Sequence, residues 1–194
     1  CLYISLDLSP KTITSRFIAC KTGIESSKLL RKTLNDQERQ HIQKAQKSID
    51  ESNLWISAQA HHTIASILAM IQAQVDENHV KFVVIDDLQK IIHGKTKSKL
   101  NAQSAELLQA LKEIAKTLQI AIVLLSQLSR EVEKRTLPIP QLSDLFLQGN
   151  TLAFVDQIWF LYRPTYYGIE NLDDTDSEGQ GAKLIIAKNN SGSK

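Results

Sequence analysis

The chain has 194 residues, 42% of them hydrophobic and 23% charged, with a formal net charge of +2. That length supports a buried core of one-domain size, and the balance is that of an ordinary globular protein, which excludes a disordered or low-complexity chain. No apolar run approaches the roughly 18 residues of a membrane-spanning helix, and Cys1 and Cys20 show no metal-ligand spacing. A reduced, cytoplasmic setting with no membrane association is therefore expected.

The opening residues CLYISLDL lack a basic leader and a small-residue cleavage site, so no secretory signal is expected. Met70 is the only methionine, and the chain opens directly on a strand-like run. An internal piece of a longer product is the expectation from that start.

In chain order, residues 2–6 read as a short buried strand. Ser9 and Pro10 mark a helix start, as cap and first helical residue, with Ile13, Phe17 and Ile18 on one face. A second helix is predicted over residues 36–48, with Asp36 as its cap and Ile42 and Ala45 facing inward. Leu54, Trp55 and Ile56 form a short strand, followed by a helix carrying Ile64, Ile67, Leu68 and Ile71. Residues 80–85 are β-branched and nearly continuously apolar, as a central parallel strand should be.

Residues 90–101 read as a polar, Lys-rich loop containing Lys90, Lys95, Lys97 and Lys99. A long helix is expected over residues 102–118, then a buried strand over 120–125. Beyond a loop with Pro138 and Pro140 come strands at 157–162 and 182–187, separated by an acidic surface loop over residues 170–178. Strands alternating with helices of about a dozen residues predict an α/β domain built on a parallel sheet. No internal repeat or linker interrupts it, so residues 1–194 are expected to form one domain.

In such a sheet, ligands sit beyond the carboxyl ends of the strands. Three places put polar groups there: Asp7, Asp86-Asp87 and Ser126-Gln127. Any one of them is an unremarkable strand ending. Carboxylate, carboxylate and amide together at one edge point to a nucleotide–Mg²⁺ site. Phosphate cradling needs the spacing G-x-x-x-x-G-K-[ST]. Gly94-Lys95-Thr96 fails it, because the first glycine position holds Gln89.

Five segments occur in order: VVIDDLQ (83–89), LLSQLSR (124–130), LSDL (142–145), FLYR (160–163) and IIAK (185–188). Together they resemble the C-terminal RecA-like motor domain of DnaB-type replicative DNA helicases, and SLDLS (5–9) looks like that family's SLEMS strand end. The resemblance covers almost the whole chain. It implies a mainly parallel sheet flanked by helices, a P-loop NTPase architecture here lacking its N-terminal strand and phosphate loop. It also implies an ATP-dependent helicase core that translocates on single-stranded DNA to unwind duplex DNA.

Residue by residue, Asp86 would be the Walker B acid ordering Mg²⁺ through water, and Asp7 would stand where the family's glutamate activates water. Gln127 would sense the γ-phosphate of ATP, Arg130 would share in nucleotide binding, and Lys188 would reach the neighbouring subunit's nucleotide. Phe146, Leu147 and Gly149 would occupy the DNA-gripping loop. A homo-hexameric ring is implied, with a helicase loader or primase as further partners.

Four positions depart from the family pattern. Asp7 shortens the catalytic arm by one methylene, roughly 1.5 Å. Asn190 stands where an arginine finger is expected, and Phe146 and Leu147 replace the arginine and glutamate of the DNA loop. These departures motivate an alternative, a catalytically degenerate RecA-like module that binds and regulates a helicase ring. The other conspicuous residues have structural readings. Trp55 and Trp159 are expected in the core, Tyr166-Tyr167 in loop packing or at nucleotide or DNA, and His61-His62 at an exposed helix start.

Overall fold

A computed structural model describes residues 1–31, 33–58, 63–92, 97–146, 149–169 and 181–192. The chain divides into two compact units, Cys1–Ile91 with Ile114–Leu125, and Ile92–Glu113 with Ser126–Lys194.

The first unit is built on a four-stranded parallel sheet: β1 (Leu2–Ser5), β2 (Trp55–Ala58), β3 (Phe82–Asp86) and β4 (Ala121–Leu124), in the order β2-β1-β3-β4. Parallel neighbours cannot be joined by a tight turn. The intervening chain accordingly forms α1 (Pro10–Thr22), α2 (Ser26–Arg31), α3 (Asp36–Asp50) and α4 (Ile64–Asn78), while α5 (Lys97–Leu118) precedes β4. Alternation along the strands sorts their side chains. Leu2 and Ile4 of β1, and Val83 and Ile85 of β3, are buried and share one face by register. Ile13 and Ile18 of α1 and Ile67 and Ile71 of α4 are buried as well.

Local chemistry fixes the helix ends. The Ser9 hydroxyl accepts a hydrogen bond from the Thr12 amide at 3.3 Å, with Pro10 next to it in the first turn. Gly23 closes α1 in the left-handed region at φ 71°, where a Cβ would be strained. The cap of α3 is Asn35 rather than Asp36. Asn35 accepts from the Glu38 amide at 2.8 Å, and Glu38 accepts from the Asn35 amide at 2.9 Å, a reciprocal capping box that leaves Asp36 in the first turn.

The second unit carries β5 (Gln157–Tyr162) and β6 (Lys183–Asn189), paired antiparallel in a sheet of their own. This corrects the expectation that these strands join a parallel sheet, and β6 also begins and ends later than 182–187. Ile158, Phe160 and Leu145 form its buried cluster, with Leu128, Leu152, Val155, Ile185 and Ala187 packed against it.

Three more expectations change. The helix expected to start at residue 102 begins at Lys97, so Lys97 and Lys99 are helical, and Lys90 ends a 3-10 turn, Leu88–Lys90. Trp159 is not a core residue: it is 52% exposed on the outer face of β5, and Trp55 is half-buried. α2 is a helix with no counterpart in the sequence reading. His61-His62, Gly94-Lys95-Thr96 and residues 170–178 lie outside the described residues. Among the described residues, no helix is long and apolar enough to cross a membrane.

Ile85 lies in an interior strand at 0% exposure. Ile85→Ala is expected to lower unfolding stability by about 2–5 kcal/mol, measured by urea denaturation followed by circular dichroism.

Candidate functional site

The strand order itself locates the crevice. From β1 the chain leads to β2 on one side, and from β3 it leads to β4 on the other. The topological switch point therefore lies between β1 and β3, and ligands of open α/β sheets bind beyond the strand carboxyl ends at such a point. Asp86 is the last residue of β3, and Asp7 follows β1 by two residues. Ser5 and Asp86 are register partners, and the Leu6 amide donates to the Asp86 carbonyl at 2.7 Å. Both carboxylates thus follow the strand ends where topology puts a ligand.

Each carboxylate is held from the opposite strand. The Tyr3 hydroxyl of β1 donates to Asp86 Oδ2 at 2.8 Å. Burial, then the hydrogen bond to Asp86, pushes the Tyr3 phenol up to about 12, so it remains a donor at neutral pH. Lys90, just past β3, pairs with Asp7 at 2.7 Å, and this bond holds the Lys90 ammonium above its ordinary range. Both partners of that pair are about half exposed, so it orients Asp7 rather than stabilising the fold. Next to Asp86, across a cis peptide, Asp87 is buried. The Leu88 amide donates to the Leu125 carbonyl at 2.9 Å, which ties the turn after β3 to the end of β4.

The remaining predicted residues belong to the second unit. Gln127 and Arg130 are exposed, Arg130 opening the 3-10 turn Arg130–Lys134. Lys188, in β6, donates to the carbonyls of Leu152 at 2.7 Å and Val155 at 2.6 Å, satisfying the end of the 3-10 turn Gly149–Phe154. Gly149 opens that turn, Phe146 is half-buried, and Leu147 lies outside the described residues. The Asn190 amide donates to the Asp156 carbonyl, and Asp156 also receives Lys112. Tyr166 and Tyr167 meet edge to face, and Tyr167 stacks on Tyr162, which gives this pair a packing role.

The LSDL segment is anchored by its aspartate. Asp144 is buried and receives both guanidinium nitrogens of Arg135, one of them at 2.8 Å. The Gln141 amide donates to the same carboxylate at 2.8 Å, and the Asp144 carbonyl accepts from the Ser129 amide at 2.8 Å. With the Leu128–Leu145 bridge, these bonds tie SQLSR to LSDL. Tyr3, Lys90 and Arg135 were not singled out from sequence as partners of these carboxylates. Their contacts depend on strand order and loop path, which no local spacing encodes.

Across residues 1–194 the chain matches the family described as DnaB-like helicase C terminal domain. It is 34% identical over 161 residues to a probable plasmid replicative DNA helicase of Chlamydia trachomatis serovar L2, covering 83% of this chain and 36% of that protein. Among solved structures, one described as an ATPase domain gives a TM-score of 0.81 and 29% identity, over 99% of this chain and 67% of that one. A DnaB-like replicative helicase described with its primase interactions gives a TM-score of 0.82 at 29% identity, covering 99% and 47% of the two chains. The fold is thus that of a RecA-like helicase ATPase domain. The chain belongs to the DnaB-like helicase family, as its C-terminal domain, and spans about a third of the length of the curated relative it matches.

The Arg135 hydrogen bonds hold the Asp144 carboxyl below its ordinary range, outweighing the opposite push of burial. The folded state therefore favours the ionised form. That stability is complete above the unfolded carboxylate pKa of about 4 and is lost as pH falls through the lower folded value. Asp144→Asn should flatten the acid limb of a melting-temperature profile below about pH 5, the two curves converging at the acid end.

Proposed function

We propose that this chain is the motor core of a replicative helicase that hydrolyses ATP with Mg²⁺, translocates on single-stranded DNA and unwinds duplex DNA. The observation that carries the proposal is the placement of Asp86 at the end of β3 and of Asp7 just past β1, at the switch point of a sheet whose family is DnaB-like.

The donor set suits a hydrated cation. Asp86 Oδ2 takes the Tyr3 hydroxyl, while Oδ1 accepts no hydrogen bond among the described residues. No cluster of three or more His, Cys, Asp or Glu side chains able to hold a metal ion occurs among the described residues. That fits Mg²⁺, which keeps several waters and is bound through one or two carboxylates together with phosphate oxygens. Bound with nucleotide, the cation would neutralise charge developing on the transferred phosphoryl group. Asp86 would hold its water shell.

Asp7 would orient or polarise the attacking water. Its arm is one methylene shorter than a glutamate, and its pairing with Lys90 restrains the direction in which it reaches. Gln127 would register the terminal phosphate and Arg130 would share in nucleotide binding. In a homo-hexameric ring, Lys188 would act on the neighbouring subunit's nucleotide, exchanging its two carbonyl acceptors for phosphate. Phe146 offers a ring for base stacking in the DNA channel, with Leu147 and Gly149 completing the loop. A loader or a primase would be the ring's protein partner, and the cytoplasm its setting.

Hydrolysis of ATP by the full-length protein should be stimulated by single-stranded DNA under ring-forming conditions. Asp86→Asn should reduce the turnover by about 100-fold or more. A steady-state phosphate-release assay checks both, and absence of DNA-stimulated hydrolysis in the unsubstituted ring overturns the reading.

A further inference from the structure

The edge of β1 and β3 carries a polar side chain that the proposed reaction does not use. Tyr3 lies in β1, and its register partner is Val84, two residues before Asp86 on the same face of the sheet. The phenol therefore reaches diagonally across the strand pair to Asp86 Oδ2, at 2.8 Å. Its ring is fixed independently of that bond: it meets Phe17 of α1 edge to face, with centroids 5.7 Å apart and planes at 83°. β1 is held on both sides, by β2 and by β3. The position of the hydroxyl is thus set by packing, and the carboxylate takes its orientation from the hydroxyl. Ser5, the register partner of Asp86, turns its hydroxyl instead to the Leu8 amide, at 3.1 Å.

We propose that Tyr3 is a positioning residue for the metal-directed carboxylate: by engaging Oδ2, it holds Asp86 with Oδ1 turned to the hydrated cation that accompanies the nucleotide. The proposal rests on the reading of Asp86 given above. Without the hydroxyl, the carboxylate is free to rotate about its side-chain torsions, and each cation bound has to select one orientation. The loss falls on the cation and leaves metal-free nucleotide binding untouched.

Tyr3→Phe keeps the ring and its contact with Phe17 and deletes only the hydroxyl. In the full-length protein, binding of a fluorescent ATP analogue is measured across a Mg²⁺ series, beside Asp86→Asn. The half-saturating Mg²⁺ concentration should rise about 10-fold in Tyr3→Phe, with affinity for the metal-free nucleotide unchanged, a split that a merely structural role would not produce. A second measurement needs no Tyr3 variant. With ¹³C-labelled tyrosine at neutral pH, Asp86→Asn should shift the Cζ resonance of Tyr3 and leave those of Tyr162, Tyr166 and Tyr167 in place. An unmoved Tyr3 resonance overturns the proposal. So does an unchanged Mg²⁺ requirement in Tyr3→Phe where Asp86→Asn raises it. If Asp86→Asn itself leaves the Mg²⁺ dependence untouched, the reading of Asp86 fails and the role of Tyr3 fails with it.

Discussion

The pairing of β1 with β3 is the constraint on which the candidate site depends. Its register joins Leu2 to Val83, Ile4 to Ile85 and Ser5 to Asp86. Because side chains alternate along a strand, one parity buries the four aliphatics, and the other brings Tyr3, Ser5, Val84 and Asp86 to a common face. A slip of one residue would exchange the faces: in one direction it puts a carboxylate where Ile85 now lies, and in the other an isoleucine where Asp86 now stands. The burial that stabilises the sheet is thus the same fact that aims the carboxylate. Core and site are selected by one register, so the geometry of the site inherits the rigidity of the most buried strands in this unit.

Strand order adds the second half of that argument. In a sheet running β2-β1-β3-β4, the connections leave β1 and β3 in opposite directions, and the crevice that results belongs to those two strands alone. The two acids are then cross-braced, Asp86 by Tyr3 of β1 and Asp7 by Lys90 beyond β3. The braces differ in kind. Tyr3 is packed and partly desolvated, so its hydrogen bond is a geometrical restraint. The Lys90–Asp7 pair is exposed and screened, and holds its carboxylate loosely.

What could be read in the chain before its structure follows from how local each feature is. A β-branched run ending in Asp86 announces both a central strand and its functional end, because apolar burial and the carboxyl-end rule act on consecutive residues. The cap of α3 was equally within reach: Asn35 is followed three residues later by Glu38, the acceptor a capping box needs, whereas Asp36 is followed at the same spacing by Arg39, which can only donate. Trp159 was not. The segment QIWFLY has apolar residues at both parities, so its hydrophobicity gives no alternation from which to assign faces, although the folded strand alternates strictly between exposed and buried. The partners of the acids were beyond local reading for a different reason. Tyr3 and Asp86 are 83 residues apart, and only the assembled sheet makes them neighbours.

In the second unit, residues of the sequence motifs serve the architecture. Asp144, within LSDL, is buried, and a buried carboxylate is tolerated only when charge and hydrogen bonds compensate its lost hydration. Arg135 supplies the charge, and the Gln141 amide a further donor. The same residue's carbonyl accepts from Ser129, so one aspartate anchors two of the segments that carry the family resemblance. Lys188 makes a comparable arrangement on β6, its ammonium closing the carbonyl ends of the turn that Gly149 opens. A polar residue that holds the loop beside it has a structural reason to keep its identity. The chain fits that logic: Asp144 and Lys188 retain the pattern of the resemblance and carry structural bonds, whereas the positions that depart from it include Asp7, exposed and about half free of packing, and Phe146, at the margin of the loop.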